Sequence, residues 1–217
     1  MTLGKSLYIP EHFRLEDHAK ALAFMRANPF TILVSNTAEG PFATHLPLVI
    51  REREAKLVLR GHVAKANPHW QYLEADPRCL VIFHGPHAYI SPANYNTREN
   101  VPTWNYGTVH TYGNARTFHA PEDLLGILRE LIAMFEPAYA DQWGSLNDAY
   151  RQRTLGHIVG FEITVTKIEA KFKLSQNRMK DEQQKVIDSL SLASDTTVSG
   201  MATLMREQGL GLKKKPQ

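Results

Sequence analysis

The chain has 217 residues, 43% of them hydrophobic and 22% charged, with a formal net charge of +3. This length can build one substantial core, and so small a basic excess does not indicate a dedicated nucleic-acid binder. No apolar run approaches the roughly 20 residues that span a bilayer, Met1–Pro10 lacks the apolar region of a secretory signal, and the single cysteine, Cys79, has no partner for an internal disulfide, so we expect a cytoplasmic protein.

The first part of the chain predicts one helix followed by several strands. Apolar residues recur at helical spacing over Glu16–Asn28, and Asn28-Pro29 ends that helix. Runs of β-branched and aromatic residues then predict strands separated by turn residues. We expect strands at Phe30–Ser35, Pro41–Ile50 and Lys56–Arg60, turns at Asn36–Gly40 and Arg51–Glu54, and a bulge or unpaired edge at Pro47.

The segment Gly61–Pro68 joins the third strand to a short helix. Asn67 is expected to cap that helix, and Pro68 suits its first position. Amides at a helix start face outward with the positive end of the dipole behind them, and His62 and Lys65 lie close by in sequence. The segment therefore predicts a phosphate site, although a plain connection with a solvated lysine explains the same residues.

The remainder of the chain alternates between strands and helices. The apolar run Cys79–Phe83 is typical of a strand covered on both faces, which makes Cys79 a core residue. Gly85-Pro86 predicts a turn, and Lys213–Lys215 is read as a solvated tail. Further strands are expected at His87–Ser91, Trp104–Thr117 and Phe161–Thr166, and helices at Pro121–Phe135, before Gly156, at Lys180–Leu190 and at Thr197–Glu207.

Six or seven strands in hairpin runs, without crossover helices between them, predict a mainly β, α+β fold. The expected architecture is an antiparallel barrel with helices packed outside it. A parallel α/β sheet is the less favoured alternative because its strands require long crossover connections.

Established catalytic and metal-binding patterns are missing from the sequence. No Gly-rich phosphate loop, nucleophile elbow or metal-ligand spacing appears, and His84 and His87 alone do not make a metal site. What remains is a set of polar and aromatic residues near strand ends. Taken singly they are ordinary core or loop residues, but jointly they would suit a flat cofactor with a phosphate tail. These residues are Thr44-His45, Gly61-His62 with Lys65, Thr103–Tyr106 and Lys173–Arg178.

Ordered sequence blocks along nearly the whole chain resemble the PaiB-type FMN-binding negative transcriptional regulator family. The blocks are Tyr8-Ile9-Pro10-x-His12-Phe13, Asn28-Pro29-Phe30, Ala43–Leu48, Gly61–Pro68, Tyr89-Ile90-Ser91-Pro92, Val101–Tyr106, Val109-His110-x-Tyr112-Gly113 and Lys171–Arg178. The resemblance implies a split β-barrel of the pyridoxamine-phosphate-oxidase-like superfamily over residues 1–175, with a C-terminal helical extension over 176–217. It also implies a homodimer that binds FMN at the subunit interface.

The same resemblance implies which residues bind the flavin. Thr44–Leu46 would run along the ring, His62–Lys65 and Asn67 would hold the phosphate, and Trp104-Asn105 would come from the partner subunit. The full set implied is Thr44, His45, Leu46, Gly61, His62, Ala64, Lys65, Asn67, Trp104, Asn105, Lys173 and Gln176.

Two departures from the family pattern concern the ring side of the flavin. The family commonly carries a tryptophan shortly after the Tyr-x-Ser-Pro block, where this chain has Ala93-Asn94-Tyr95, and the loop over 94–101 is short.

Two functions remain open from the sequence. One is an FMN-binding regulator, with DNA contacts from Lys and Arg near the C-terminal helices. The other is a flavin-dependent oxidoreductase on a small molecule, or a haem-degrading relative.

Overall fold

The computed structural model describes residues 7–54 and 56–211. Within those ranges the chain forms seven strands and seven α-helices, with short 3₁₀ turns at Glu11–Phe13 and Pro92–Asn94. In chain order the elements are α1 (His18–Ala27), β1 (Phe30–Thr37), β2 (Gly40–Pro47), β3 (Val49–Arg53), β4 (Lys56–Ala64), α2 (His69–Ala75), β5 (Arg78–Ile90), β6 (Thr103–Phe118), α3 (Pro121–Phe135), α4 (Tyr139–Ser145), α5 (Asp148–Leu155), β7 (Ile158–Lys173), α6 (Lys180–Ser191) and α7 (Thr196–Glu207).

These elements confirm the predicted antiparallel α+β fold and correct several local predictions. The turn predicted at Gly85-Pro86 is wrong, because β5 runs through it. The register of β1 with β5 ends at Phe83, so a proline at position 86 removes no ladder bond to β1. The turn predicted at Arg51–Glu54 is also wrong for residues 51–53, because those three residues belong to β3 and pair with β4. The helix expected before Gly156 is two helices, α4 and α5.

One residue joins the two edges of the sheet. The strand order is β2-β1-β5-β6-β7-β4-β3, which in a flat sheet would separate β2 from β3 by about 29 Å. Leu48 alone connects those two strands, and one residue bridges only about 7 Å between its neighbours' Cα atoms. The sheet must therefore curl so that the end of β2 lies next to the start of β3. Because β2 and β3 are not hydrogen-bonded neighbours in that order, the result is a split β-barrel.

The meeting point of the edges requires a glycine on β4. A Cβ atom at Gly61 would lie 2.6 Å from Leu48 Cδ2 and 3.2 Å from the Pro47 carbonyl oxygen. Real Cβ atoms do not come so close to a neighbour, so a side chain there would push β4 away from the bend. Gly61 thus has a packing role in the barrel.

Helix α3 covers one part of the barrel. Its apolar face buries Ile127 and Leu131 together with Val49 and Phe118. The predicted start of this helix is confirmed, with Pro121 at its first position and Glu122 and Asp123 in the first turn. An ion pair ties the helix to β4, since Arg60 lies 2.5 Å from Glu130.

Residue contacts divide the described chain into two units. The barrel unit comprises residues 25–83 and 110–168, and the terminal unit comprises residues 7–24, 84–109 and 169–211. Each of the seven strands contributes residues to the barrel unit. The boundary expected at residue 175 stays a prediction, and the tail Lys213–Lys215 lies outside the described residues.

In the terminal unit, helices α6 and α7 pack on each other and hold the segment after β7. Gln183 is buried and donates to the carbonyl oxygens of Ser175 and Arg178 at 3.2 and 2.9 Å. Its own side-chain oxygen accepts from the Gly211 amide at 3.0 Å. The buried Glu182 accepts from the Asn96 amide at 2.8 Å. These satisfied buried groups fix residues 175–178 in one conformation. No helix in the described ranges is long and apolar enough to cross a membrane.

Candidate functional site

The segment Gly61–Pro68 ends β4 and leads into α2, as predicted, but its backbone amides are mostly engaged. The Asn67 side chain accepts from the His69 amide at 3.0 Å, which confirms the predicted cap. Pro68 is the residue before the helix instead of its first residue. The amides of Lys65 and Asn67 donate to the His157 and Ala64 carbonyl oxygens at 2.7 and 2.8 Å. The capacity to bind an anion therefore rests mainly on the Lys65 side chain.

Four side chains form a hydrogen-bonded chain beneath this segment. Asn67 donates to Thr44 Oγ1 at 3.1 Å, and Thr44 Oγ1 lies 2.7 Å from His69 Nδ1. The Thr44 hydroxyl can either donate to or accept from His69 Nδ1. His69 Nε2 lies 3.1 Å from Ser35 Oγ, so a neutral ring donates through one nitrogen and accepts through the other. The network fixes α2 and the Asn67 cap against strands β1 and β2.

His69 gives this network a pH dependence. The ring is fully buried, and burial lowers its pKa to about 4. The folded protein therefore keeps His69 neutral while the unfolded chain takes up a proton below about pH 6.5. The stabilisation is complete above pH 6.5 and is lost as the pH falls towards 4. We expect His69→Gln, which keeps a donor and an acceptor, to remove this contribution.

Urea unfolding at pH 7.5 and pH 4.5 measures the effect of His69. The wild-type protein should lose about 2 to 3 kcal/mol more of its unfolding free energy between these pH values than His69→Gln does. Equal losses in the two proteins would contradict the assignment of a neutral buried imidazole.

The other predicted residues of the barrel unit differ in exposure. Lys65 is exposed, and its ammonium makes no hydrogen bond or ion pair with the described residues. His62 is half-buried, and its Nδ1 atom is buried without a hydrogen-bond partner among those residues. Burial lowers the pKa of His62. An exposed cation and, three residues earlier in the chain, an imidazole nitrogen without a partner suit a phosphate-bearing ligand better than an uncharged one.

Of the four other predicted positions in the barrel unit, three have no polar side chain and the fourth, His45, has an exposed imidazole ring. His45 is exposed, and its ring lies 6.4 Å from that of Phe30. Leu46 is buried, and its carbonyl oxygen accepts from the Thr31 hydroxyl at 3.0 Å. Ala64 is exposed and Gly61 is buried at the barrel bend. This part of the surface can offer backbone and apolar contacts to a flat ligand.

The four predicted residues of the terminal unit differ in exposure and in their hydrogen-bond partners. Trp104 is 52% exposed, whereas Asn105 is fully buried and donates to Ser175 Oγ at 2.9 Å. The Gln176 side chain is used by its own segment, since it accepts from the Leu174 amide at 2.7 Å. Lys173 is half-buried and bonds to the Thr103 hydroxyl. Burial and the charge of Lys171 lower the pKa of Lys173.

Lys173 belongs to a cavity of about 260 Å³ in the terminal unit, which we call the Lys173 pocket. Asn105 and Ser175 also line it, together with Tyr95 and Arg178. Sequence reasoning did not select Tyr95 as a site residue, and it named Arg178 only as the end of the polar run Lys173–Arg178. The signals available were the position of Tyr95 in the departing block and the place of Arg178 at the end of the Lys171–Arg178 motif.

Two further predictions concern the cysteine Cys79 and the histidine pair His84 and His87. Cys79 is a core residue, as predicted, and burial raises the pKa of its thiol to about 12. His84 Nε2 and His87 Nδ1 lie 3.1 Å apart. No group of three or more metal-ligating side chains occurs in the described part of the chain.

Known proteins resemble this chain in sequence and in fold. The family model described as "Putative FMN-binding domain" matches residues 7–167. The Bacillus subtilis "Protease synthase and sporulation protein PAI 2" is 38% identical over 214 residues, covering 96% of this chain and 100% of that relative.

Two solved structures share the fold at 13% identity, each with a TM-score of 0.56. The FAD and haem binding protein of Mycobacterium smegmatis matches over 78% of both chains. The flavocytochrome Anf3 of Azotobacter vinelandii matches over 76% of this chain and 72% of its own.

Proposed function

We propose that this chain, which belongs to the FMN-binding domain family, is a homodimeric FMN protein of the negative transcriptional regulator type. The observation that carries the proposal is the extent of the match, since the family model spans residues 7–167 and the Bacillus subtilis relative aligns over its entire length. That relative is named for protease synthesis and sporulation, which supports a regulatory role.

The phosphate of FMN is assigned to Lys65 and His62. Lys65 supplies an exposed ammonium that the described residues leave unpaired, and His62 supplies a buried ring nitrogen without a partner in the same ranges. Thr44 and Asn67 act through position, because their mutual hydrogen bond holds the segment that carries Lys65. Bound FMN would supply redox chemistry, while these residues bind and orient it.

The flavin ring is assigned to the edge strand β2. His45 and Ala64 offer exposed side chains, and Leu46 and Gly61 contribute backbone at buried positions. β2 stands at one end of the strand order, so its outer backbone groups pair with no further strand of the described residues. A flat ligand along an edge strand can use such backbone groups.

Exposed apolar side chains in the terminal unit support the homodimer. Trp104 and Tyr89 are each 52% exposed with ring centroids 6.2 Å apart, and Val101 is 73% exposed. Clustered exposed aromatic and apolar residues are typical of a protein interface. We assign this patch to the second copy, with Trp104 reaching the partner's flavin. Asn105, being buried, supports the same strand from within, and Gln176 shapes the turn after β7.

Regulation through DNA would use cations on the C-terminal helices. Lys180, Lys185 and Arg206 are exposed there, although each also bonds within the chain to Gln183, Asn96 and Ser191 respectively. Phosphate contacts from such residues would weaken steeply with salt. An electrophoretic shift that disappears between low and physiological salt would therefore identify non-specific binding only.

A flavin-dependent oxidoreductase is the second candidate, and the Lys173 pocket favours it. An oxidoreductase needs a small-molecule site, and this pocket provides cationic and hydroxyl groups in a defined cavity.

Light scattering and visible spectroscopy on the purified protein test both candidates. The regulator proposal predicts a dimer with a bound yellow flavin chromophore that NAD(P)H does not bleach. Bleaching by NAD(P)H would favour the oxidoreductase, and a monomer that takes up no FMN would contradict both.

A further inference from the structure

The Lys173 pocket is lined by cationic side chains and by no acidic ones. These cations are Lys173 and Arg178. Its volume of about 260 Å³ lies below the roughly 300 to 1,000 Å³ of sites for drug-sized ligands. A complete FMN molecule therefore exceeds it, whereas a ligand about the size of a single ring fits.

Lys173 is a cation without an anionic partner. Among the described residues its ammonium bonds only to the Thr103 hydroxyl, and the nearby Lys171 ammonium donates to the Tyr8 carbonyl oxygen at 2.9 Å. Burial and Lys171 both disfavour its charge and lower the pKa of Lys173. An anion placed beside Lys173 would offset both effects.

Arg178 and Tyr95 also line the pocket. The guanidinium lies 3.8 Å from the centre of the Tyr95 ring, and it donates through one nitrogen to Asn100 Oδ1 at 2.7 Å. Tyr95 is 7% exposed, and its hydroxyl has no hydrogen-bond partner among the described residues. A buried unsatisfied hydroxyl is costly unless a ligand completes its hydrogen bonding.

Ser175, which lines the pocket, has a strained backbone conformation. Ser175 adopts φ 64°, in the left-handed region that a serine rarely occupies. Asn105 holds that serine in place, with hydrogen bonds of 2.9 and 3.2 Å between the two side chains. Strain of this kind persists where the surroundings over-determine it and is concentrated at ligand sites.

We propose that the Lys173 pocket binds a small organic oxyanion, a carboxylate or phosphate monoester on a body about the size of one apolar ring. The oxyanion pairs with Lys173 and Arg178 and accepts from the Tyr95 hydroxyl. The apolar body packs on Phe13, which also lines the pocket. The pocket belongs to the terminal unit, whereas Lys65 and His62, to which the FMN phosphate is assigned, belong to the barrel unit. The proposal does not depend on FMN binding.

Calorimetric titration of the full-length protein tests the proposal with three probes of similar shape. Benzoate and phenyl phosphate carry the oxyanion, and benzyl alcohol does not. At least one of the two anions should bind about tenfold or more tightly than the alcohol, with and without saturating FMN. Whichever anion binds better identifies the oxyanion class. Equal binding of the alcohol, no binding of either anion, or displacement of the anion by FMN would overturn the proposal.

Matched variants locate the binding. Lys173→Met should weaken anion binding about tenfold or more, since a charged hydrogen bond is lost, while Lys173→Arg should retain most of it. Tyr95→Phe, which removes only the unsatisfied hydroxyl, should weaken it several-fold. Lys20→Met is the control, because Lys20 is an exposed lysine of α1 outside the pocket. Undiminished binding by Lys173→Met, or a loss in Lys20→Met of the same size, would overturn the proposal.

Discussion

Replacing Lys65 with alanine is expected to weaken FMN binding by about 10- to 100-fold. A hydrogen bond to a charged group is worth about 1.5 to 3 kcal/mol, and each 1.4 kcal/mol corresponds to a factor of ten in Kd. We expect the loss of affinity to be about 100-fold. The backbone amides of Lys65 and Asn67 already donate within the chain, so they cannot bind the phosphate in place of the missing ammonium. Quenching of flavin fluorescence during titration measures the Kd directly.

Lys56→Ala is the matched control for Lys65→Ala. Both lysines are exposed, and Lys56 begins β4 whereas Lys65 follows its last residue. The two side chains are therefore separated by about 30 Å along one strand. We expect Lys56→Ala to leave the Kd for FMN unchanged. An unchanged Kd in Lys65→Ala, or equal losses in both variants, would contradict the assignment of the phosphate to this segment.

Gly113→Ala is expected to lower the unfolding free energy by about 2 to 4 kcal/mol. A Cβ atom there would lie 2.4 Å from the Thr164 carbonyl oxygen and 2.7 Å from Ile163 Cγ2. The first of these neighbours is backbone of β7 and cannot turn aside, so β6 and β7 must separate locally. Overpacking against side chains alone costs about 1 to 3 kcal/mol, and a backbone contact adds to that cost. Urea unfolding at neutral pH measures the change.

Gly126→Ala separates this clash from a general effect of replacing glycine. Gly126 lies within α3, and a Cβ atom there would meet nothing within 4 Å. Alanine is the better helix former by about 0.8 to 1 kcal/mol, so this variant should be more stable than the wild type. A stability of Gly113→Ala equal to or above that of the wild type would show that β6 and β7 are not packed as described.

Elements whose residues interact with near neighbours could be predicted from the sequence. Helix α3 is an example, because its proline, its acidic first turn and its apolar periodicity are all local. The strand β7 was predicted only over Phe161–Thr166, since its remaining residues do not alternate. Its C-terminal end is extended because it meets a distant segment, with a bridge between Arg14 and Lys171. No local sequence pattern predicts pairing with so distant a segment.

In the candidate site too, local interactions could be predicted from the sequence and long-range ones could not. The Asn67 cap could be predicted because it depends on residues within the same segment. The role of His69 could not, because Thr44 and Ser35, its hydrogen-bond partners, are 25 and 34 residues away. The pairing of Asn105 with Ser175 spans 70 residues, so no local pattern could predict it.

Titration of the FMN-free protein with FMN and with riboflavin tests the central claim most directly. Riboflavin shares the flavin ring and lacks the phosphate assigned to Lys65. The account predicts about one FMN bound per chain and a Kd for riboflavin about tenfold or more higher, since a charge-assisted contact is lost. Equal affinities for the two flavins, or no binding of FMN, would contradict it.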